Sequence, residues 1–381
     1  MSSRNIVLSA LALAAVVGAW QVGQHKAPTT EISSAEFLPG LLDQINKTTT
    51  LQIKTKDGEI VIARKGDGWI AQSLDNYPAK SDAVKQALVE LASLKIVEAK
   101  TTKADKYAQI GVDDVSGPTA KGHLVTAIDA ENKRIVSVII GNEHATKSAG
   151  ASRHYVRKAG DAGAYLVDGE LSISDKANDW LDTSVVDLPV ERVHQVTVVP
   201  QADTPITVSK ASPEVQLYDL TNVPDGFEVK ARATVSSIGG ILLDARFDKV
   251  IAASKLAGLT PTAVATVETF DGLTATIERY SFNSAAYLTF KFEHTPDTAV
   301  TLPAVKTDAA KPAEGSPPVA NTAPLKKPDD VAKEATALNA KVNGWAYGLP
   351  EYKSRLLEKK FSDLIAKKAP PAAKGAPAEN K

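Results

Sequence analysis

The chain repeats one order of predicted secondary structure elements, and this repeat constrains the fold more than any single motif. Paired strands between Thr49 and Ile62 precede a helix and further strands, and paired strands between Val193 and Ser209 do the same. Ile53 and Val198, which occupy comparable places, lie 145 residues apart. Because residue identity is low, two unrelated α+β pieces remain the alternative. The pattern predicts an α+β chain with two similar modules, each with an antiparallel sheet and a packed helix.

The helix of each predicted module has an apolar stripe. In the first, Ser81 is a candidate N-cap, and the stripe consists of Val84, Leu88, Leu91 and Leu94. In the second, Ser236 or Ser237 is the candidate cap, and the stripe consists of Leu243, Phe247, Val250 and Ile251. We expect each stripe to pack against its sheet.

The N-terminus carries an uncharged, apolar stretch from Asn5 to Gln24, preceded by Arg4. A 20-residue helix is about 30 Å long, which is enough to cross the hydrocarbon layer of a bilayer. Trp20 suits the membrane interface, and Arg4 suits a cytoplasmic N-terminus. The stretch therefore predicts a membrane anchor. A cleaved signal peptide, with Val17 and Ala19 before the cut, and a buried core helix are the alternatives.

Net charge and cysteine content bear on the possible partners and the possible chemistry of the chain. The formal net charge of −1 gives no general reason to expect a nucleic-acid partner. The chain has no cysteine, which excludes disulfides, thiolate chemistry and a lipid attached to an N-terminal cysteine. Neither observation fixes the compartment.

The C-terminal part begins with a segment of unusual composition. Between Pro296 and Pro328 there are seven prolines and no aromatic residue, which predicts an extended or disordered linker. A helix is predicted from Asp329 to Lys341, and a second amphipathic helix is predicted from Tyr352 to Ile365. Docking on the preceding module and contact with a partner or a lipid surface are both compatible with these stripes. The candidate partner-contact residues are Trp345, Tyr347 and Tyr352.

These observations divide the chain into seven segments. They are a membrane anchor or signal segment (1–26), a tether (27–48), α+β module 1 (49–190), α+β module 2 (191–295), a Pro/Ala/Lys-rich linker (296–328), a C-terminal helical segment (329–367) and a disordered tail (368–381).

Catalytic and cofactor motifs are absent from the sequence. There is no phosphate-binding Gly-x-x-x-x-Gly-Lys-Ser/Thr loop and no Gly-x-Ser-x-Gly nucleophile turn. Glu143, His144 and His154 are the residues that a metal ion would use if a hairpin brought them together, but solvated polar residues are the simpler interpretation. We therefore predict no catalytic, cofactor-binding or metal-ligating residues.

Several short motifs follow one another in a definite order along the chain. Trp69 and Tyr77-Pro78-Ala79 come first, followed by the Leu-rich helix. After the helix come Tyr107-x-x-x-Gly111, Ile140-Gly141 and Tyr155-Val156-Arg157. The stretch Trp345-Ala346-Tyr347-Gly348-Leu349-Pro350 lies near the C-terminus. This order of motifs, with this ending, resembles a bacterial family, the domain of unknown function 4340. The resemblance covers most of 69–198 and again 341–365.

The resemblance implies export, attachment to the bacterial inner membrane by a single span, and a periplasmic location for most of the chain. It also implies an accessory role near ABC-type transport systems, and it supplies no catalytic residues. We therefore expect a non-enzymatic, membrane-anchored domain with a protein partner in an envelope complex. A soluble exported ligand- or glycan-binding protein is the alternative, followed by an envelope hydrolase.

Overall fold

The computed structural model describes residues 35–145, 152–296 and 325–368 of the 381-residue chain. The predicted membrane anchor lies outside these ranges, as do most of the predicted linker and tail and the first part of the predicted tether. Among the described residues, none of the helices has the length and apolar character that crossing a bilayer requires.

The chain forms two compact units. Of the described residues, the first unit contains 35–69, 80–145 and 152–176, and the second contains 70–79, 177–296 and 325–368. The short segment Ile70–Ala79 therefore belongs with the second unit although it lies early in the sequence.

The first half of the described chain is rich in strands. The strands are β1 (Thr48–Lys54), β2 (Glu59–Lys65), β3 (Gly68–Ala71), β4 (Tyr77–Ala79), β5 (Lys95–Thr101), β6 (His123–Asp129), β7 (Arg134–Glu143), β8 (Arg153–Lys158) and β9 (Ala164–Asp168). The helices are α1 (Ser81–Ser93) and α2 (Tyr107–Ile110). Unit 1 contains a sheet with the order β3-β2-β1-β6-β7-β8-β9-β5. The neighbouring pairs β2–β1, β1–β6, β6–β7, β7–β8, β8–β9 and β9–β5 are all antiparallel.

Helix α1 buries the predicted stripe, because Val84, Leu88, Leu91 and Leu94 are all buried. Its N-cap position is Lys80, and Ser81 is the first helical residue, so the predicted cap is wrong by one residue. The amphipathic spacing nevertheless predicted the buried face correctly, since that face depends on the helical period and not on the cap.

The second half of the described chain contains twelve strands among its described residues. They are β10 (Ser184–Val186), β11 (Val193–Pro200), β12 (Ile206–Ser209), β13 (Asp219–Leu220), β14 (Phe227–Val229), β15 (Ala245–Arg246), β16 (Lys249–Ala252), β17 (Ala263–Thr269), β18 (Leu273–Phe282), β19 (Ala285–His294), β20 (Trp345–Gly348) and β21 (Ile365–Lys367). The helices are α3 (Arg232–Gly239), α4 (Pro328–Val342) and α5 (Glu351–Ser354).

Unit 2 is built on an antiparallel sheet with the order β13-β12-β11-β17-β18-β19-β20-β16. Two smaller pairs, β10-β15 and β14-β21, lie beside it in the same unit. Its core includes residues from the sheet, from α3 and from the C-terminal segment. Antiparallel sheets with a few packed helices confirm the predicted α+β class.

The predicted helix over Leu243–Ile251 is wrong. The helix lies earlier, over Arg232–Gly239, and Ser236 and Ser237 are inside it. The later residues form β15 and β16, separated from α3 by turns that include Asp244 with φ +41°. Apolar residues three or four positions apart also suit two short strands, so the spacing alone did not separate the two structures.

The predicted second C-terminal helix is also wrong. Helical turns over 351–358 end where Lys359 and Lys360 become extended, and a further turn leads into β21. The apolar residues of the stripe are still largely buried, namely Leu356, Leu357, Phe361 and Leu364. The same apolar side chains are therefore buried, although the backbone that carries them is a series of short turns and not one helix. The helix predicted over Asp329–Lys341 is confirmed by α4.

Candidate functional site

The motif residues of unit 1 meet around the side chain of Arg157. The Arg157 guanidinium lies 4.5 Å from the centre of the Tyr107 ring, which is a cation–π contact. Arg157 Nε donates to the Val112 carbonyl at 2.8 Å, and one Nη donates to the Asp114 carboxylate at 2.6 Å. Tyr107 Oη donates to the Ala162 carbonyl. Arg157 thus fastens the turn around α2 to strand β8.

Three glycines let backbones approach each other next to this arginine. A Cβ atom on Gly122 would lie 2.2 Å from the Gly111 carbonyl oxygen, and one on Gly141 would lie 2.4 Å from the Ile110 carbonyl oxygen. Gly111 itself has φ +73°, a conformation that favours glycine. The Tyr-x-x-x-Gly and Ile-Gly motifs therefore serve close packing.

The Tyr77-Pro78-Ala79 motif and the C-terminal aromatic motif meet in unit 2. The Tyr77 ring lies 4.8 Å from Trp345, 5.3 Å from Phe247 and 6.3 Å from Tyr347, in edge-to-face arrangements. Burial raises the pKa of Tyr77, and burial together with the Tyr77 hydroxyl raises the pKa of Tyr347. Both phenols therefore remain neutral, hydrogen-bonding core residues.

The three candidate partner-contact residues have different environments. Tyr347 is fully buried in β20, and Trp345 is half-buried beside it. Tyr352 has 69% of its surface exposed. A contact through Tyr347 would require its ring to leave the core, whereas Tyr352 is accessible without rearrangement.

The three residues considered for a metal site lie on two neighbouring strands: Glu143 ends β7, His144 follows it, and His154 lies on β8. Glu143 pairs with His154 across the two strands, while His144 Nδ1 lies 2.9 Å from Tyr155 Oη. His154 Nε2 lies 3.0 Å from Ser152 Oγ. Within residues 35–145, 152–296 and 325–368, no cluster of three metal-ligating side chains occurs.

A partly buried histidine on β6, His123, has a shifted pKa. His123 Nε2 is shielded from solvent and has no hydrogen-bond partner among the described residues. Burial lowers the pKa of His123, a nearby Asp175 opposes this shift, and His154 adds to it. Burial lowers the pKa of His154 as well.

An ion network in unit 2 holds α4 to the sheet. The Arg192 side chain is 3% exposed and donates two hydrogen bonds to Asp271 and two to Glu334. Burial would raise the pKa of both carboxyls, but hydrogen bonds from Arg192 and its neighbours outweigh it and lower both pKa values. Lys326 adds a backbone N–H bond to Asp271 and an ion pair with Glu334.

A polar cavity of about 580 Å³ lies in unit 2 near the β18–β19 turn. Its walls include the acidic residues Asp248, Glu351 and Glu358 and the basic residues Lys249, Arg279 and Arg355. Arg279 is 9% exposed and pairs with Glu358. Burial lowers the pKa of the Arg279 guanidinium, which stays charged because arginine titrates far above neutral pH. The cavity can therefore hold a charged ligand.

Sequence reasoning did not single out Arg279, although a signal was present. The side chains of β18 alternate, and Leu273, Ala275 and Ile277 form its buried row. Arg279 is the next residue of that row. A charged residue that continues a buried row is a departure from binary patterning, and such departures mark functional sites.

A comparison with protein families identifies the sequence. The model described as "Domain of unknown function (DUF4340)" matches residues 69–264, which is more than half of the chain. The match begins at Trp69, as the motif order predicted, extends beyond residue 198 and does not include 341–365. No curated protein shows significant similarity to the chain. The match shows that the chain belongs to the DUF4340 family.

Proposed function

We propose that this chain is a non-enzymatic, membrane-anchored exported domain that binds a partner protein as an accessory component of an envelope ABC-type transport system. In this proposal one N-terminal helix spans the bacterial inner membrane, and the two units lie in the periplasm.

The observation that carries the proposal is the role of the family motifs in packing. Arg157 and Tyr107 fasten a turn to the sheet of unit 1, and Tyr77 packs on Trp345 and Tyr347 in unit 2. Motif residues that hold a scaffold together support a binding role, because a catalytic family would be expected to share reactive groups that face a substrate.

The strand pairing of unit 1 supports a module that occurs twice. In unit 1, Leu51 of β1 lies opposite Ile62 of β2 and Ala127 of β6. The β1–β6 pairing shifts register between Thr48 and Thr50.

Unit 2 has the same arrangement. Val196 of β11 lies opposite Val208 of β12 and Val267 of β17. The β11–β17 pairing shifts register between Val193 and Gln195, which are 145 residues after Thr48 and Thr50. The strand order β3-β2-β1-β6-β7-β8-β9-β5 of unit 1 corresponds strand by strand to the order β13-β12-β11-β17-β18-β19-β20-β16 of unit 2. The matching residue pairs and the matching register shift support a duplicated module over two unrelated pieces, because register is set separately for each sheet.

The anchor is supported by the sequence of residues 5–24, and fractionation tests it. The full-length chain should sediment with the inner membrane and require detergent for release. Recovery in the soluble exported fraction, with a mature N-terminus at Trp20 by mass spectrometry, would contradict the anchor and favour a soluble exported binding protein.

Site-specific photocrosslinking in native membranes tests the partner. A photoreactive residue in place of Tyr352 should give a discrete adduct that contains a subunit of an ABC-type transporter. The control is the same residue in place of Val89, which is 42% exposed on α1 in unit 1. Equal adducts from both positions, or none from Tyr352, would contradict a partner contact at Tyr352.

The polar cavity beside Arg279 favours the second candidate, binding of a small ligand. The two activities are compatible in one chain, and they are distinguished by the residues on which each depends.

A further inference from the structure

The side chain of Arg279 occupies a core position in β18 and lines the polar cavity. Its Nη1 donates to Thr262 Oγ1 at 2.6 Å, and its Nη2 donates to the Glu358 carboxylate. Its Nε is shielded from solvent and has no hydrogen-bond partner among the described residues. A buried N–H of a charged group without a partner is destabilising, so the position needs an explanation.

The geometry of the guanidinium group explains why Nε of Arg279 has no partner. The Nε–H and one Nη2–H point the same way and match the two oxygens of a single carboxylate. Glu358 contacts only the Nη2 half of this pair. Glu358 lies on a helical turn of the C-terminal segment, with its side chain 47% exposed. It can therefore move aside at low cost, whereas Arg279 is held by the sheet.

The matching position in unit 1 shows that the sheet does not require an arginine here. Arg279 pairs with Ala263 in β17, and Ile140 pairs with His123 in β6. The neighbouring pairs follow the same order in both units, with Val138 opposite Val125 and Ile277 opposite Ala265. Ile140 is buried. One unit thus has an aliphatic residue where the other has a cation.

The remaining walls of the cavity are suited to a small polar molecule. The Ser281 and Ser284 side chains offer hydroxyl groups, and Lys249 and Asp248 provide opposite charges. A volume of about 580 Å³ is within the range of small-molecule sites.

We propose that this cavity binds a small ligand through a carboxylate group, which displaces Glu358 and pairs side-on with Nε and Nη2 of Arg279. The site goes beyond the proposed partner contact and does not depend on it. Two sources share this chemistry: the C-terminal carboxylate of a short peptide and the carboxylate of a uronic acid.

Calorimetric titration of the full-length chain in detergent tests the site. The probes are N-acetylalanine for the peptide source and glucuronate for the uronic acid source. N-acetylalaninamide and glucose are the matched neutral controls. We expect at least one acid to bind and both neutral controls to fail, because only a carboxylate accepts both Arg279 N–H groups. Equal binding of an acid and its neutral control would overturn the proposal.

Variants of the two ion pairs locate the binding. Arg279→Ile introduces the residue that unit 1 has at the matching position, so it should fold and should weaken acid binding about tenfold or more. Glu358→Gln removes the competing carboxylate and should strengthen acid binding. Glu293→Gln changes a carboxylate that lies outside the cavity walls and pairs with the exposed Lys291, and it should bind like the unaltered chain.

The outcomes are distinct from those of the photocrosslinking experiment. Acid binding to Glu358→Gln alone would still support the site, since Glu358 would then be a strong competitor. If neither the unaltered chain nor Glu358→Gln binds either acid, or if Arg279→Ile folds and binds as tightly as the unaltered chain, the proposal is wrong. Neither result would affect an adduct formed at Tyr352.

Discussion

At the scale of single residues, positions where close backbone contacts leave no room for a Cβ atom explain part of the family motif, just as side-chain contacts do. The glycines at 111, 122 and 141 lie where backbone segments of unit 1 touch, and Arg157 donates a hydrogen bond to the Val112 carbonyl, next to Gly111 in sequence. A glycine motif of this kind has a packing cause. A search for reactive side chains would not find this glycine motif, because glycine has no side chain.

Gly141→Ala should therefore destabilise unit 1. The added methyl group would lie 2.4 Å from the Ile110 carbonyl oxygen, where only the backbone can give way. We expect a loss of about 1–3 kcal/mol in free energy of unfolding, measured by denaturant titration. The control is Gly58→Ala, where the added methyl group meets no atom within 4 Å. Equal effects of the two substitutions would show that the backbone contact is not tight.

The stability of unit 1 should depend on pH through His123. Its pKa is lowered below the ordinary value of 6.5, so the unfolded chain binds a proton before the folded chain does. Stability should be greatest above about pH 6.5 and should fall as pH decreases toward the folded pKa. NMR titration of the His123 ring gives that pKa directly, and His123→Gln should reduce the slope of stability against pH. A measured pKa for His123 above 6.5 would contradict its burial as a neutral group.

At the scale of elements, the C-terminal segment is part of the sheet of unit 2. Strand β20 lies between β19 and β16, and α4 packs on β19. Arg192 joins Glu334 of α4 to Asp271 at the β17–β18 turn. The two sides of the predicted linker are thus joined by buried charges as well as by apolar contacts.

Arg192→Met should destabilise unit 2 by about 3–5 kcal/mol at neutral pH, because it leaves the Asp271 and Glu334 carboxylates buried without their cation. Both folded pKa values lie below the ordinary 3.8 and 4.5 in the unaltered chain, so this stabilisation is present above these values and is lost as pH falls. The difference between variant and unaltered chain should therefore shrink in acid. Denaturant titrations at several pH values measure it.

An exposed ion pair provides the control for this prediction. Arg246 pairs with Asp244, and both side chains are more than half exposed. Arg246→Met should cost less than about 1 kcal/mol. Similar losses for the two arginine variants would mean that the Arg192 network contributes no more than a surface pair.

At the scale of the whole molecule, deletion of 341–381 distinguishes a structural C-terminus from a contact arm. The deletion removes β20 and buried side chains that include Tyr347, Leu357 and Leu364. The melting temperature should fall by roughly 10 °C or more, since each lost kcal/mol lowers it by about 2–4 °C in a unit of this size. Deletion of 369–381 alone, which is all of the predicted tail except its first residue, is the control and should leave the melting temperature unchanged. An unchanged melting temperature after the longer deletion would favour a contact arm.

The sequence alone determined those features that depend on local periodicity and turn chemistry. Alternation predicted the strand pairs β1–β2 and β11–β12. Helical spacing predicted the buried face of α1 and, to within one residue at each end, the extent of α4. The repeated order of elements predicted two sheets, and the order of weak motifs predicted the family. These signals are carried by residues that are close in sequence.

Only the tertiary structure decided the features that join distant residues. By sequence, Trp345 and Tyr347 are candidate partner contacts or docking residues. In the structure they pack against Tyr77, more than 260 residues earlier. Leu243 to Ile251 has helical spacing, yet β16 forms because β20 offers a partner strand. Arg279 reads as an ordinary charge in a strand, and its burial and its pairing with Glu358 appear only when the C-terminal segment closes over β18. Local patterns specify which side chains are apolar, whereas packing decides which partners cover them.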